Sequence, residues 1–77
     1  MSNRYEEVLA EEMRKVRERK KLTQQTLAKM TGLSQGLISH VENANDSKLS
    51  TLDKLCQAMG ISLSTIIART EKQLRQL

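Results

Sequence analysis

The sequence predicts an all-α fold, a compact domain of five short helices, and three observations carry that prediction. The chain of 77 residues has no proline, no tryptophan, no phenylalanine and a single tyrosine. Its core must therefore come from Leu, Ile, Val, Met and Ala, which suit helix-on-helix packing. Apolar residues recur at spacings of three and four, and no stretch alternates in the manner of a half-buried strand. Hydroxyl or amide residues stand ahead of the apolar runs and glycines stand behind two of them, which are the start and stop signals of short helices.

Asn3 with Glu6 makes a capping box that opens a first helix near residues 4–19, with Tyr5, Val8, Leu9, Met13 and Val16 as its inner face. Thr23 is a good N-cap for a helix near 24–31, whose buried side is Leu27 and the small Ala28. Gly32 stands where the chain must leave that helix in a left-handed conformation. Ser34 caps a third helix near 35–42, and Asn43 to Lys48 follow as a polar loop. Ser50 with Asp53 reads as a second capping box, opening a helix near 51–59 with Leu52, Leu55, Cys56 and Met59 inward and Gly60 at its end. Ser62 caps a fifth helix near 63–75. These boundaries hold to within a few residues. Residues 1–77 are expected to form one domain, with 68–77 as a C-terminal helical extension.

Residues 23–42, TQQTLAKMTGLSQGLISHVE, pair the second and third helices around a tight turn. That is the arrangement of a DNA-binding helix-turn-helix, in which the second helix of the pair enters the major groove. Counting about 100° per residue from Gln35, Leu37, Ile38 and Val41 share one apolar face. Gln35, Gly36, Ser39, His40 and Asn43 form the opposite arc, which holds hydrogen-bonding groups and little carbon bulk. Glutamine can pair bidentately with adenine, and Ser or His can reach other base edges. Gly36 has no side chain to keep the backbone from DNA. Periodicity alone does not separate such a reading face from an ordinary solvated one.

A resemblance does. From about Val16 to Ile67 the chain resembles the Cro/C1-type (XRE-like) helix-turn-helix family of phage repressors and bacterial regulators. Arg17, Leu22-Thr23-Gln24, Leu27-Ala28, Gly32, Ile38-Ser39 and Glu42 follow the family pattern in order, as does LSTLDKLCQAMGISLSTII after the loop. The resemblance implies a fold of the lambda-repressor-like type with the helix-turn-helix at its centre. It implies that Gln35, Gly36, Ser39 and His40 lie against base edges, with Gln35 the main reader. It sets Gln24, Ser34, Asn43 and Lys48 on the DNA backbone, and it pairs Arg17 with Glu42 as a structural ion pair. The chain departs from the pattern at Lys21 and Ala44, where the family usually has glycine. It departs again at Asp46-Ser47-Lys48, in a loop that is about one residue shorter than usual and lacks the customary proline. These departures concern the loop backbone and any phosphate contact it makes, not the reading helix.

The formal net charge is +4, and it is unevenly placed. Met13 to Lys21 holds six basic residues against one acid, whereas residues 22–47 carry slightly more acid than base. Basic groups thus flank the reading helix, which suits phosphate contacts around uncharged base readers. Taken without the motif, the basic run is also what a solvated helix C-terminus favours.

The fifth helix carries a second signal. Leu63, Ile67, Thr70, Leu74 and Leu77 follow a heptad seam with Thr70 at its centre. The domain core should need only Leu63 and Ile66 or Ile67. The surplus leucines are expected to meet a second copy of the chain, with Leu63, Ile67, Leu74 and Leu77 as the dimer interface; folding back on their own domain is the alternative.

Nothing supports catalysis. Cys56 is single and sits at an apolar helical position, and one cysteine offers no disulfide framework, in keeping with a cytoplasmic protein. His40 has no companion at metal-ligand spacing, and no glycine-rich phosphate loop is present. No metal or other cofactor is expected. The apolar runs are too short to span a membrane, and no signal peptide or sensor domain is expected. The expected activity is sequence-specific regulation of transcription by a homodimer on double-stranded DNA at a palindromic operator. An antitoxin that regulates its own promoter and binds a toxin protein is the alternative, and an adaptor that binds only protein is a further one.

Overall fold

A computed structural model describes residues 3–46 and 48–76. Five helices follow one another: α1 Arg4–Arg19, α2 Gln24–Thr31, α3 Gln35–Glu42, α4 Leu49–Met59 and α5 Leu63–Arg75. No strand occurs among the described residues. Four of the helices are opened by side-chain caps. The Asn3 side-chain oxygen accepts from the Glu6 amide at 2.8 Å, and Thr23 Oγ1 accepts from the Thr26 amide at 3.0 Å. Ser34 and Ser62 do the same for the amides of Leu37 and Thr65.

α4 differs from the expectation. It begins at Leu49, with Lys48 as an N-cap whose side chain makes no capping bond. The cause lies in the loop. The Asp46 carboxylate accepts from the Lys48 amide at 3.1 Å, and the Lys48 carbonyl accepts the first helical bond, from Leu52, at 3.0 Å. Ser50 therefore lies inside the helix rather than ahead of it, and Asp53 takes its bond from Gln57 Nε2 at 2.9 Å.

Three helices end in the same paired bonds, with the residue beyond the end in a left-handed conformation. α4 uses Gly60 at φ 73°, but α1 uses Lys21 at φ 58° and α3 uses Ala44 at φ 61°. The bonds are alike: Leu22 to Arg17 and Lys21 to Glu18 close α1, and Asn45 to His40 and Ala44 to Val41 close α3. The two positions where the sequence departs from the expected glycine are thus ones where the backbone takes the conformation that favours glycine. α2 ends instead at Gly32, φ 75°, where the buried Thr31 hydroxyl donates to the Leu27 carbonyl and accepts from the Leu33 amide.

The core is aliphatic. Leu9, Met13 and Val16 from α1 meet Leu27, Ile38 and Val41 from the α2–α3 pair, Leu52, Leu55, Cys56 and Met59 from α4, and Ile66 from α5. α5 packs most extensively on α1, while α2 packs on both α3 and α4. That packing corrects the heptad reading at one point. Thr70 is fully buried within the chain's own fold, its hydroxyl donating to the Ile66 carbonyl at 2.9 Å, so it is not part of a free seam. Leu63, Ile67 and Leu74 are half-buried, and Leu77 lies outside the described residues.

Candidate nucleic-acid interface

Arg17 is the hub that orients the helix pair. Its Nε donates to Glu42 Oε2 at 2.6 Å and its Nη2 to Glu42 Oε1 at 3.0 Å, a two-pronged contact between α1 and the last residue of α3. Its remaining fork nitrogen, Nη1, donates to the Leu22 carbonyl at 2.7 Å, and Gln24 Nε2 adds a bond to Glu42 Oε1 at 3.0 Å. The Arg17–Glu42 pair thus ties together α1, the turn into α2, the first residue of α2 and the end of α3. The side chains are little exposed, 12% for Arg17 and 7% for Glu42, so water competes weakly for these charges. The paired carboxylate raises the Arg17 pKa above its ordinary value, against the opposing effect of burial. The resemblance supplied Arg17 and Glu42; the parts played by the Leu22 carbonyl and by Gln24 carried no sequence signal.

The apolar face of α3 is held inside by Ile38 at 0% and Val41 at 1% exposure. The opposite arc is outside. Gln35, Gly36 and His40 are exposed, and Ser39 is half-buried. A side chain at Gly36 would meet nothing closer than Ser34 Oγ, at 4.0 Å, so no packing demand explains the glycine. Ser39 is engaged by its neighbour one turn on: Asn43 Nδ2 donates to the Ser39 carbonyl at 2.9 Å and to its hydroxyl oxygen at 3.3 Å. Ser34 holds its own helix by its hydroxyl. Gln24 has one amide hydrogen committed to Glu42 and a second to offer a phosphate oxygen. Lys48 is exposed but stands beside the Asp46 carboxylate, which weakens the local attraction for phosphate. The structure therefore brings Gln24, Ser34, Gln35, Gly36, Ser39, His40 and Asn43 onto the α2–α3 unit. Lys48 belongs to the start of α4.

Chemistry elsewhere is spare. Cys56 is buried, and that burial, with the Asp53 charge behind it, pushes its thiol up to about 11, so it is no nucleophile at neutral pH. No group of three or more metal-ligating side chains occurs among the described residues, and no helix there is long and apolar enough to cross a membrane. A buried charge on α1 escaped the sequence reading. Glu12 is 4% exposed, with Lys15 Nζ at 3.3 Å. Its signal was present in the four-residue steps from Val8 through Glu12 to Val16, which place a carboxylate on the inner face.

A helix-turn-helix family model matches residues 13–66, which takes in the hub, α2, α3, α4 and the start of α5. The chain belongs to the Cro/C1-type helix-turn-helix family. It is a DNA-binding regulator of transcription in that sense, with the lambda-repressor-like fold. Solved structures resemble it, among them the following two. The clp gene regulator ClgR from C. glutamicum is 25% identical with a TM-score of 0.80, over 88% of this chain and 88% of that one. A tyrosine-to-phenylalanine mutant of the restriction-modification controller protein C.Esp1396I is 20% identical with a TM-score of 0.84, over 96% of this chain and 95% of that one, and speaks to the fold alone. No match was found among curated proteins.

Proposed function

We propose that this protein is a homodimeric, sequence-specific regulator that binds a roughly palindromic operator with α3 in the major groove and that it has no catalytic activity. The observation that carries the reading is the division of α3. Its inner face and last residue are fixed by the core and by Arg17, while Gln35, Gly36 and His40 stand exposed on the other side. Gln35 is the principal base reader, with Ser39 and His40 beside it and Gly36 admitting the backbone close to the groove. Gln24, Ser34, Asn43 and Lys48 hold phosphates.

Two protomers are needed for a palindrome, because two-fold symmetry in the protein is matched by two-fold symmetry in the site. Leu63, Ile67 and Leu74 on α5, with Leu77 beyond them, are the proposed contact. A two-fold dimer of this chain, whose longest dimension is 34 Å, would have to set its α3 helices roughly one DNA turn, about 34 Å, apart. ClgR is a gene regulator by its own description, which agrees with this reading.

Selection of bound sequences from a random DNA pool tests it. An enriched inverted repeat with half-sites about 10 base pairs apart is the expected result. A pool that gains no consensus would overturn base reading, and an enriched single half-site bound by a strict monomer would overturn the dimer alone.

A further inference from the structure

One of the grooves that lie apart from the α2–α3 face is cationic. It lies where the end of α1, the α4–α5 turn and the middle of α5 meet, has a volume of about 370 Å³, and is lined by Val16, Arg19, Lys20, Gly60, Ile61 and Arg69. Three of these six residues are cationic and none is acidic. Arg69 is half-buried, and its Nη1 is shielded from solvent without a hydrogen-bond partner. Among the described residues, none of the ion pairs involves Arg69, Arg19 or Lys20. Val16 is 2% exposed and Ile61 half-buried, so the groove has an apolar floor below its charges.

A guanidinium nitrogen taken out of water with no acceptor is costly, and two further cations, the exposed Arg19 and Lys20, line the same groove. An anion seated in the groove is drawn by all three charges, and a small shift of the Arg69 side chain would give its shielded nitrogen an acceptor. The volume lies within the range of small-ligand pockets, roughly 300–1,000 Å³. We infer that this groove binds a small organic anion. A phosphate or carboxylate head sits against Arg69, whose planar fork suits two-point contact, with Arg19 and Lys20 at the rim. A short apolar body lies on Val16 and Ile61. Such a ligand bridges α1 and α5, the two helices that pack most extensively on each other, so it is placed to bias the setting of α5 and, through the proposed dimer, operator affinity. The ligand chemistry itself does not depend on the dimer.

The test titrates the intact protein with n-hexyl phosphate, inorganic phosphate and 1-hexanol, reading backbone amide signals by NMR. Hexyl phosphate is expected to move the signals of Val16, Lys20, Ile61 and Arg69 and to bind more tightly than either of its halves. Arg69→Gln should weaken it roughly ten-fold or more, Arg69→Lys should restore part of the loss, and Arg75→Gln, a change at an exposed cation on the same helix, should do nothing. If Arg69→Gln fails to fold, the exposed pair Arg19→Gln with Lys20→Gln should produce the same loss in a folded protein. Wild-type binding in the folded variants, equal loss in Arg75→Gln, or signal changes confined to α2 and α3 would each overturn the proposal. A duplex of random sequence distinguishes the other source of phosphate. If it moves the same four signals, and Arg69→Gln weakens it as much as hexyl phosphate, the head group is the DNA backbone and the small-anion site is wrong.

Discussion

The two ends of α3 are held in different ways. At its C-terminal end Val41 is buried, Glu42 is locked by Arg17 and Gln24, and the following Ala44 is buried in a left-handed turn. At its N-terminal end Gln35 and Gly36 are exposed, and Ser34 alone supplies a cap. One end is therefore fixed by bonds that reach across the fold, and the other keeps its donors for an outside partner. The ends lie about 10 Å apart at the ordinary rise of a helix. At that separation changes at one end should act nearly independently of changes at the other. Stability should be read out at Glu42 and recognition at Gln35.

Breaking the anchored end gives the largest effect. Glu42→Ala removes both of the hub's carboxylate contacts and strands the Arg17 guanidinium in a site of low exposure. Losing one partner of such a pair costs about 3 kcal/mol or more. In a domain of this size that lowers the melting temperature by more than about 10 °C. Glu18→Ala, a change at an exposed carboxylate on α1, should stay within about 0.5 kcal/mol. Thermal unfolding followed by circular dichroism compares the two, and equal melting temperatures would mean that Arg17 does not organise the helix pair.

Breaking the free end should not lower the melting temperature. Gln35→Ala is expected to cost about 1–3 kcal/mol of affinity at the selected operator and little on random DNA. Loss of affinity on both in equal measure would make Gln35 a positioning residue. Gly36→Ala sharpens the same contrast, because the open space around Gly36 lets a methyl group enter without a clash. Alanine is favoured over glycine inside a helix by about 0.8–1 kcal/mol, less in the first turn, so this variant should melt a few degrees higher. It should nevertheless bind the operator more weakly, since the methyl group stands between backbone and groove. A variant that gained stability and kept full affinity would show that the backbone does not approach DNA there.

The contrast also explains what the sequence made legible. Caps at Asn3, Thr23, Ser34 and Ser62 and stops at Gly32 and Gly60 are local chemistry, so α1, α2, α3 and α5 could be bounded from composition and spacing alone. α4 could not. Its start is set by Asp46 and Lys48 two residues apart in a loop, and a nearer pattern, Ser50 with Asp53, imitated a capping box. Thr70 misled for a related reason. A polar residue at the centre of an apolar spacing reads as a flaw in a seam, yet its hydroxyl is satisfied by the carbonyl one turn back and the residue packs as if apolar. At the candidate site the arc of α3 was visible from periodicity. The bond from Gln24 to Glu42 was not, because it joins residues of two helices whose crossing no single-chain pattern records.

The smallest effect concerns the left-handed turns that lack glycine. Lys21 at φ 58° and Ala44 at φ 61° each carry a cost of about 1–2 kcal/mol for a side chain in that conformation. Replacing Lys21 by glycine removes this strain but adds about 0.4–1 kcal/mol of chain entropy to the unfolded state. The net expectation is a gain of roughly 0.5–1 kcal/mol, a rise of a few degrees in melting temperature. Ala44→Gly relieves the same strain, yet the Ala44 methyl is buried, with the residue only 7% exposed, and deleting it gives back about 0.8 kcal/mol of packing. That variant should melt close to the wild type. The difference between the two glycine variants thus measures what the buried methyl contributes beside the anchored end of α3. If Ala44→Gly proved the more stabilising of the two, Ala44 would hold no packing role, and Glu42 with its partners would fix that end alone.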